Sequence, residues 1–290
     1  MPELPEVETI KLFLEKNIVG LKIKSVEVLN SKSFLGDSKL LVDKQIKSVK
    51  RRAKVLRIGF GDFELLTHLK MSGQMIFKGK AKRVKGEDFI GGHPTKDMFG
   101  DFPNRSTRVI FNFSNGSKLF FNDQRKFGWI KLVDRELVVG GSIFAKIGPE
   151  PLESEFTWQI LKDRLLKRRK TAVKVALLDQ QVVAGVGNIY ACEACFLAGV
   201  DPGKKCGELT DVEFKKVHQG VVESLKNGIK YGGSSKTHFM NPEGKKGLFL
   251  DYAFVYGREK LPCRRCGALI MKMKLGGRGT YYCEECQINQ

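Results

Sequence analysis

Two groups of residues in this 290-residue chain have types and spacing that could do chemistry: a set of paired cysteines, and a proline beside a glutamate in second position. Cys263-Arg264-Arg265-Cys266 and Cys283-Glu284-Glu285-Cys286 are Cys-x2-Cys pairs with 16 residues between them. Each pair places two thiolates on one knuckle, and two knuckles complete a tetrahedral shell for a single Zn2+. Such a shell leaves no open coordination position, so the zinc is expected to be structural. A redox dithiol needs one pair rather than two. Arg278, between Gly277 and Gly279, falls at the tip of the hairpin this spacing implies, and residues 255–290 carry seven Lys or Arg against three Glu. A guanidinium held out in that way suits a phosphate.

The opening Met1-Pro2-Glu3-Leu4-Pro5-Glu6 suggests a nucleophile. Removal of the initiator methionine would expose the secondary amine of Pro2. An α-amino group titrates near ~7.7–8.0, so part of it is neutral at pH 7 and can attack a sugar C1′ to form an iminium. Glu3 would move protons beside it. The alternative is a proline that merely begins a helix. A third feature is Ala184-Gly185-Val186-Gly187-Asn188, ahead of a helical run Ile189–Ala198. With Asn188 as N-cap and glycines in front, the helix start offers amides to a phosphate, although an ordinary capped helix hairpin reads the same way. Cys192 and Cys195 lie mid-helix and read as packing residues.

The elements that must position these groups change character along the chain. A first helix begins at Pro5, with Val7, Ile10, Leu12 and Leu14 as its apolar positions. From about Lys22 to Val133 short alternating runs follow: Ile23–Val28, Val55–Phe60, Glu64–Leu69, Arg108–Phe113 and Lys118–Phe121. Asn115-Gly116 marks a hairpin turn. The pattern predicts an antiparallel β-sandwich, interrupted by a Gly-rich, charged insert at about 78–105. Gly148-Pro149-Glu150-Pro151 looks like a linker. From Phe156 to about Tyr231 the periodicity is helical, and within it Ala172–Gln181 is an amphipathic stretch. The predicted class is α+β multidomain: residues 1–135 form the sandwich domain, 136–155 the linker, 156–254 the helical domain and 255–290 the zinc finger.

Composition narrows the partner. Fifty-one Lys and Arg against 32 Asp and Glu give a formal charge of +19, a balance usually tolerated because the partner is a polyanion. No apolar run approaches the ~18 residues of a membrane span, and no segment concentrates charge with amphipathicity as a membrane-surface helix would. Glu3, Glu6 and Glu8 stand where a secretion signal would be basic, and the cysteine count, seven, is odd. An intracellular, cytoplasmic protein with free thiols and a metal site is expected, nucleoid-associated if the source is bacterial.

The motifs, in order, resemble those of the formamidopyrimidine-DNA glycosylase family, in the group that includes endonuclease VIII. The resemblance rests on Pro2-Glu3-Leu4-Pro5-Glu6-Val7-Glu8-Thr9, Arg51-Arg52-Ala53-Lys54 and His68-Leu69-Lys70-Met71-Ser72-Gly73. It continues through Asp123-Gln124-Arg125-Lys126-Phe127-Gly128, Gly148-Pro149-Glu150-Pro151-Leu152, and Leu178-Asp179-Gln180 to Gly187-Asn188-Ile189-Tyr190. Gly232-Gly233-Ser234-Ser235, Val255-Tyr256-Gly257-Arg258 and Gly277-Arg278-Gly279-Thr280 complete it.

The resemblance implies a monomeric bifunctional glycosylase/lyase acting on damaged double-stranded DNA. It would remove oxidised purines (8-oxoguanine, formamidopyrimidines) and cut the strand by β,δ-elimination. The alternatives are a pyrimidine-specific enzyme of endonuclease VIII type and a non-catalytic damage-binding protein. By the same resemblance Pro2 is the Schiff-base nucleophile, Glu3 its acid/base partner and Glu6 a support. Lys54, Asn188 and Arg278 grip phosphates, with Lys54 and Arg278 counted among the catalytic groups. Met71, Arg125 and Phe127 fill the space left by the extruded nucleotide. The helix pair becomes a helix–two-turn–helix, and residues about 234–249, hinged at Gly244 and Gly247, a lesion-capping loop. Departures are Ala53 and Lys70 where glycine is usual, Leu250 for Gln, and Asn104-Arg105-Ser106-Thr107-Arg108 in place of a histidine-rich stretch. The insert, with seven Lys or Arg against four acids, is expected near DNA.

Overall fold

The computed structural model describes residues 1–79, 89–92, 101–234 and 247–288. The chain divides into two compact units, Met1–Ala145 with Gly232–Gly247, and Lys146–Tyr231 with Leu248–Gln290. Among the described residues no helix is long and apolar enough to cross a membrane.

The first unit opens with α1 (Leu4–Ile18), whose Leu4, Val7, Ile10, Leu14 and Ile18 are buried at helical spacing. Leu12, expected on that face, is exposed, and Phe13 packs inward instead. Two five-stranded sheets follow. One orders β1 (Ile23–Val28), β8 (Thr107–Phe113), β9 (Lys118–Asp123), β6 (Gly73–Lys78) and β7 (Phe89–Gly92). The other orders β2 (Phe34–Leu35), β10 (Trp129–Asp134), β5 (Phe63–His68), β4 (Val55–Gly59) and β3 (Ser48–Arg52). Pairing is antiparallel except for the short β2–β10 contact. The core contains Leu56, Ile58, Leu65, Met75, Phe111, Phe121 and Ile130 together with the inner face of α1. Each such side chain contributes roughly 1.5–3 kcal/mol by leaving water. Part of the expected insert is therefore structured, since β7 adds an edge strand to β6. Its residues 80–88 and 93–100, and with them the expectation of a DNA-facing loop, lie outside the described residues. α2 (Arg135–Val139) closes the unit's strand series.

The second unit holds α3 (Trp158–Leu166), α4 (Val173–Ala176), α5 (Asn188–Ala198), α6 (Asp211–Lys230), α7 (Phe249–Tyr252), β11 (Ile270–Leu275), β12 (Arg278–Cys283) and α8 (Glu284–Gln287). α6 starts at a capping box: Glu213 N donates to Thr210 Oγ1 at 3.3 Å and Thr210 N to Glu213 Oε2 at 2.8 Å. α5 lies close against it because Gly220 has no side chain; a Cβ there would stand 2.3 Å from Ala194 O. The helix predicted over Ala172–Gln181 is cut to one turn. Beyond its end Asp179 is engaged with its own loop backbone, Gln181 N donating to Oδ1 at 2.9 Å. Gly148-Pro149 is packed rather than extended: Gly148 N donates to Gln180 O at 2.7 Å and Ala184 N to Pro149 O at 3.0 Å.

Candidate active site and phosphate-binding surface

In the first unit, strand register brings three turns to one end of a sheet. Val55 pairs with His68 and Trp129 pairs with His68, so residues 53–54, 69–72 and 124–128 all emerge there. The first turn carries Lys54, the second Met71, the third Arg125 and Phe127. Ala53 and Lys70, at the positions where the resemblance led us to expect glycine, have φ of +52° and +50°. Glycine adopts that conformation freely, whereas other L-residues lose roughly 1–2 kcal/mol in it. Arg51 braces the first turn, donating from Nη1 to Ala53 O at 2.9 Å and from Nε to Glu8 at 2.7 Å.

Pro2 is buried, directly ahead of α1. Glu3, Glu6 and Lys54 are each at most 5% exposed. Glu3 N donates to Glu6 Oε2 at 2.8 Å. The other oxygen of Glu6 accepts from Ser234 N at 2.7 Å and Ser234 Oγ at 2.9 Å. Glu6 is thus a tie that fixes the backbone beside Pro2 to residue 234. Burial pulls the Lys54 ammonium below its usual range, and the charges of Glu3 and Glu6 pull it back. The cluster holds a buried proline, two buried carboxylates and one partly compensated cation, and carboxylates beside a cation are groups that can move protons.

The space-filling candidates are held by Asp123, a fully buried residue that sequence reading passed over as part of a motif. Its carboxylate accepts from Ser72 Oγ in one turn, and from Arg125 N at 3.2 Å and Gly128 N at 2.6 Å in the other. Ser72 Oγ also accepts from Arg125 N at 3.0 Å. The ties leave Met71 37% and Phe127 57% exposed, although apolar residues of that size are usually buried. The Arg125 guanidinium sits 5.1 Å over the Phe127 ring, a cation–π contact. His68 lies among these turns; Lys70 N donates to its Nδ1 at 3.0 Å, which leaves the proton on Nε2. Burial and the charges of Lys70 and Lys54 lower its pKa to about 4, so it is a neutral donor at pH 7.

In the second unit Asn188 is not the helix cap. Gly187 takes that place, with φ −131°, and Asn188 is the first helical residue. Its side chain is used elsewhere: Lys174 Nζ donates to Oδ1 at 2.5 Å and Nδ2 donates to Gly279 O at 3.0 Å. Lys174 is fully buried, a position for a cation that nothing in the amphipathic pattern signalled. Through Asn188 the start of α5 is joined to the β11–β12 hairpin, whose Arg278 is exposed. The hairpin turn Gly276-Gly277 has φ of +56° and +75°, as a two-residue turn between twisted strands requires. A Cβ on Gly276 would lie 2.8 Å from the Val175 side chain, so glycine also lets the tip rest on α4.

The four sulfurs of Cys263, Cys266, Cys283 and Cys286 lie within 4.8 Å of one another. Cys263–Cys286 and Cys266–Cys283 separations are 4.0 and 3.5 Å, around the ~3.8 Å edge of a tetrahedron with 2.3 Å Zn–S bonds. The donor set fits one structural Zn2+ with a closed shell. Glu193, also missed in the sequence, anchors the approach to this centre. It is buried in α5 and accepts from the backbone N–H groups of Phe254, Val255 and Tyr256 at 2.8–2.9 Å. Burial raises its pKa while those three donors oppose the rise. Cys192 and Cys195 are fully buried, as packing residues should be, and burial pushes the Cys195 thiol far up. Of the loop expected at 234–249, residues 235–246 lie outside the described residues, Gly244 among them. Nothing in the fold explains Leu250.

Three family models match the chain: the formamidopyrimidine-DNA glycosylase N-terminal domain over residues 1–130, the formamidopyrimidine-DNA glycosylase H2TH domain over 147–240, and the zinc finger found in FPG and IleRS over 260–288. Formamidopyrimidine-DNA glycosylases of Pelotomaculum thermopropionicum and Exiguobacterium sibiricum are 40% and 37% identical, with 99% of each chain covered. Among solved structures, the complex between the Lactococcus lactis Fpg and an abasic-site-containing DNA aligns with a TM-score of 0.85, at 34% identity over 99% of both chains. The wild-type Lactococcus lactis Fpg in complex with an N7-benzyl-Fapy-dG containing DNA aligns at 0.84, with 34% identity over 99% of this chain and 100% of that one. The chain belongs to the formamidopyrimidine-DNA glycosylase family.

Proposed function

We propose that this protein is a base-excision repair enzyme that removes oxidised purines, 8-oxoguanine and formamidopyrimidines, from double-stranded DNA and cuts the abasic strand. The observation that carries the reading is the buried group of Pro2, Glu3, Glu6 and Lys54 in a family whose relatives are named for this activity. Once Met1 is removed, the Pro2 nitrogen attacks C1′ and the bond to the base breaks, the base leaving with the electron pair. Glu3 protonates O4′ as the sugar ring opens, giving an iminium between Pro2 and C1′. Loss of a C2′ proton expels the 3′ phosphate, and loss of a C4′ proton then expels the 5′ phosphate. Water hydrolyses the iminium and frees Pro2.

The remaining roles follow the same reading. Glu6 holds the nucleophile's backbone. Lys54, Asn188 and Arg278 bind phosphates flanking the lesion, Asn188 through its remaining Nδ2 hydrogen and the amides of its helix start. Extrusion of a nucleotide costs a few kcal/mol, which Phe127 wedging, Met71 filling and Arg125 hydrogen bonding to the orphaned cytosine offset. Zn2+ holds the hairpin and takes no part in the chemistry. The functional division is a sandwich domain at 1–135 with the insert at 78–105, a linker at 136–155, a helical domain at 156–254 with a lesion-capping loop at 234–249, and a zinc finger at 255–290. The protein acts as a monomer in the cytoplasm, and at the nucleoid if its source is bacterial. Borohydride reduction during reaction with an 8-oxoguanine duplex tests the reading. The expected result is a covalent adduct on Pro2; an adduct on a lysine, or strand cutting by enzyme that keeps Met1, would overturn it.

A further inference from the structure

The turn that presents Met71 contains a feature that neither packing nor backbone geometry explains. Lys70 has φ +50°, a conformation that glycine adopts without strain. In this conformation Lys70 N donates to His68 Nδ1 at 3.0 Å. A lysine therefore stands where its own backbone preference argues against it. Strain that persists in this way tends to mark functional positions. Its ammonium makes no ion pair among the described residues. It is half-buried beside Met71, on the same end of the sheet as Lys54 and Arg125. The charges that act on the neighbouring imidazole of His68 are those of Lys70 and Lys54, both positive. The neighbouring turn repeats the device, with Lys126 at φ +59° between Arg125 and Phe127.

We infer that Lys70 is a further DNA-binding residue of this chain, its ammonium neutralising a backbone phosphate beside the site that Met71 enters. The inference rests on the DNA-repair reading of the same surface. A glycine would relax the turn but leave it without a cation beside Met71; lysine keeps a strained turn and adds a charge contact. The side chain carries no sequence information, so its contribution is to affinity and to the salt dependence of binding, equally for every lesion.

The test is equilibrium binding of a short duplex carrying a stable abasic-site analogue opposite cytosine, across a salt series, alongside thermal melting of the free protein. Lys70→Gly should bind about five-fold more weakly at low salt and show a log–log salt slope smaller by about 0.9, one phosphate contact. Its melting temperature should equal or exceed that of the unsubstituted protein, by about 2 °C, because the turn relaxes. Lys70→Gln, which keeps the strained turn, should lose the same slope, and Lys70→Arg should retain it. An unchanged slope in Lys70→Gly and Lys70→Gln overturns the inference, as does a weaker complex whose loss tracks a lower melting temperature. Failure of the unsubstituted protein to prefer the lesion duplex over undamaged DNA would instead overturn the repair reading itself.

Discussion

Arg278 in the second unit and the candidate residues of the first unit are held in place by different means. In the second unit the exposed Arg278 depends on a hairpin whose cysteines are close in sequence and joined by a metal, with a glycine turn at its tip. In the first unit the corresponding work falls to buried polar side chains whose partners lie far along the chain. Glu6 reaches Ser234, and Asp123 reaches back to Ser72. A metal site supplies a large local free energy and tolerates a small core. Buried carboxylates give finer placement, but each is stabilising only while all its donors are present.

Four experiments press on that contrast. Removing zinc with a chelator, or substituting Cys283→Ala, should have the largest effect, because structural zinc sites supply about 10–16 kcal/mol of apparent binding energy. Hydrogen exchange should show lost protection over Ile270–Leu275 and Arg278–Cys283 while β4, β5 and β9 stay protected. Loss of protection in the sandwich as well would mean the two regions are not separately ordered. Glu3→Gln should lower single-turnover base excision by about 10²–10⁴-fold, the range for a positioned acid/base group, with duplex affinity nearly unchanged. Equal losses of rate and affinity would make Glu3 a structural cap instead.

The third concerns pH. His68 titrates at about 4 in the fold against 6.5 when unperturbed, so the unfolded chain binds more protons between those values. Its contribution to stability is complete above pH 6.5 and is lost as pH falls towards 4, by about 3 kcal/mol. Denaturant titrations at pH 7 and pH 4.5 should show a smaller pH effect in His68→Asn than in the unsubstituted protein, and an identical pH effect would remove His68 from the account. The smallest effect expected is that of Asp123→Asn, which weakens charge-assisted bonds to Ser72, Arg125 and Gly128 at a cost of about 2 kcal/mol. Urea unfolding checks the loss. Retained stability together with unchanged affinity for a lesion duplex would show that the two turns hold their shape without the carboxylate.

Much of the site could be read in advance where the chemistry is local. The zinc ligands need only spacing and type, and the paired Cys-x2-Cys motifs supply both. Strands such as Arg108–Phe113 were visible because Val109, Phe111 and Phe113 make one face apolar. Pro2 and Glu3 were legible as a candidate pair because they adjoin in the sequence, and the fold buries both. Where reading failed, the reason was a competitor distant in sequence. Asn188 has the residue type of a cap, but Lys174 and Gly279 claim its amide, and neither is a neighbour along the chain. Leu12 fitted the helical stripe, yet the sandwich buries Phe13 instead. β7 was hidden inside a Gly-rich, charged segment because an edge strand draws its order from its partner β6 rather than from its own composition.

By itself, then, the sequence determined the classes of chemistry available: a metal-closing cysteine set, a basic surface for a polyanion, an amine–carboxylate opening, and the alternation that makes a sandwich. Only the tertiary structure decided that Asp123 clamps two turns, that Glu6 answers Ser234, that Lys174 is buried under Asn188, and that Ala53 and Lys70 carry positive φ. The physical reason is that each of these depends on desolvation and on partners brought together by strand register. Neither quantity is a property of any short stretch of chain.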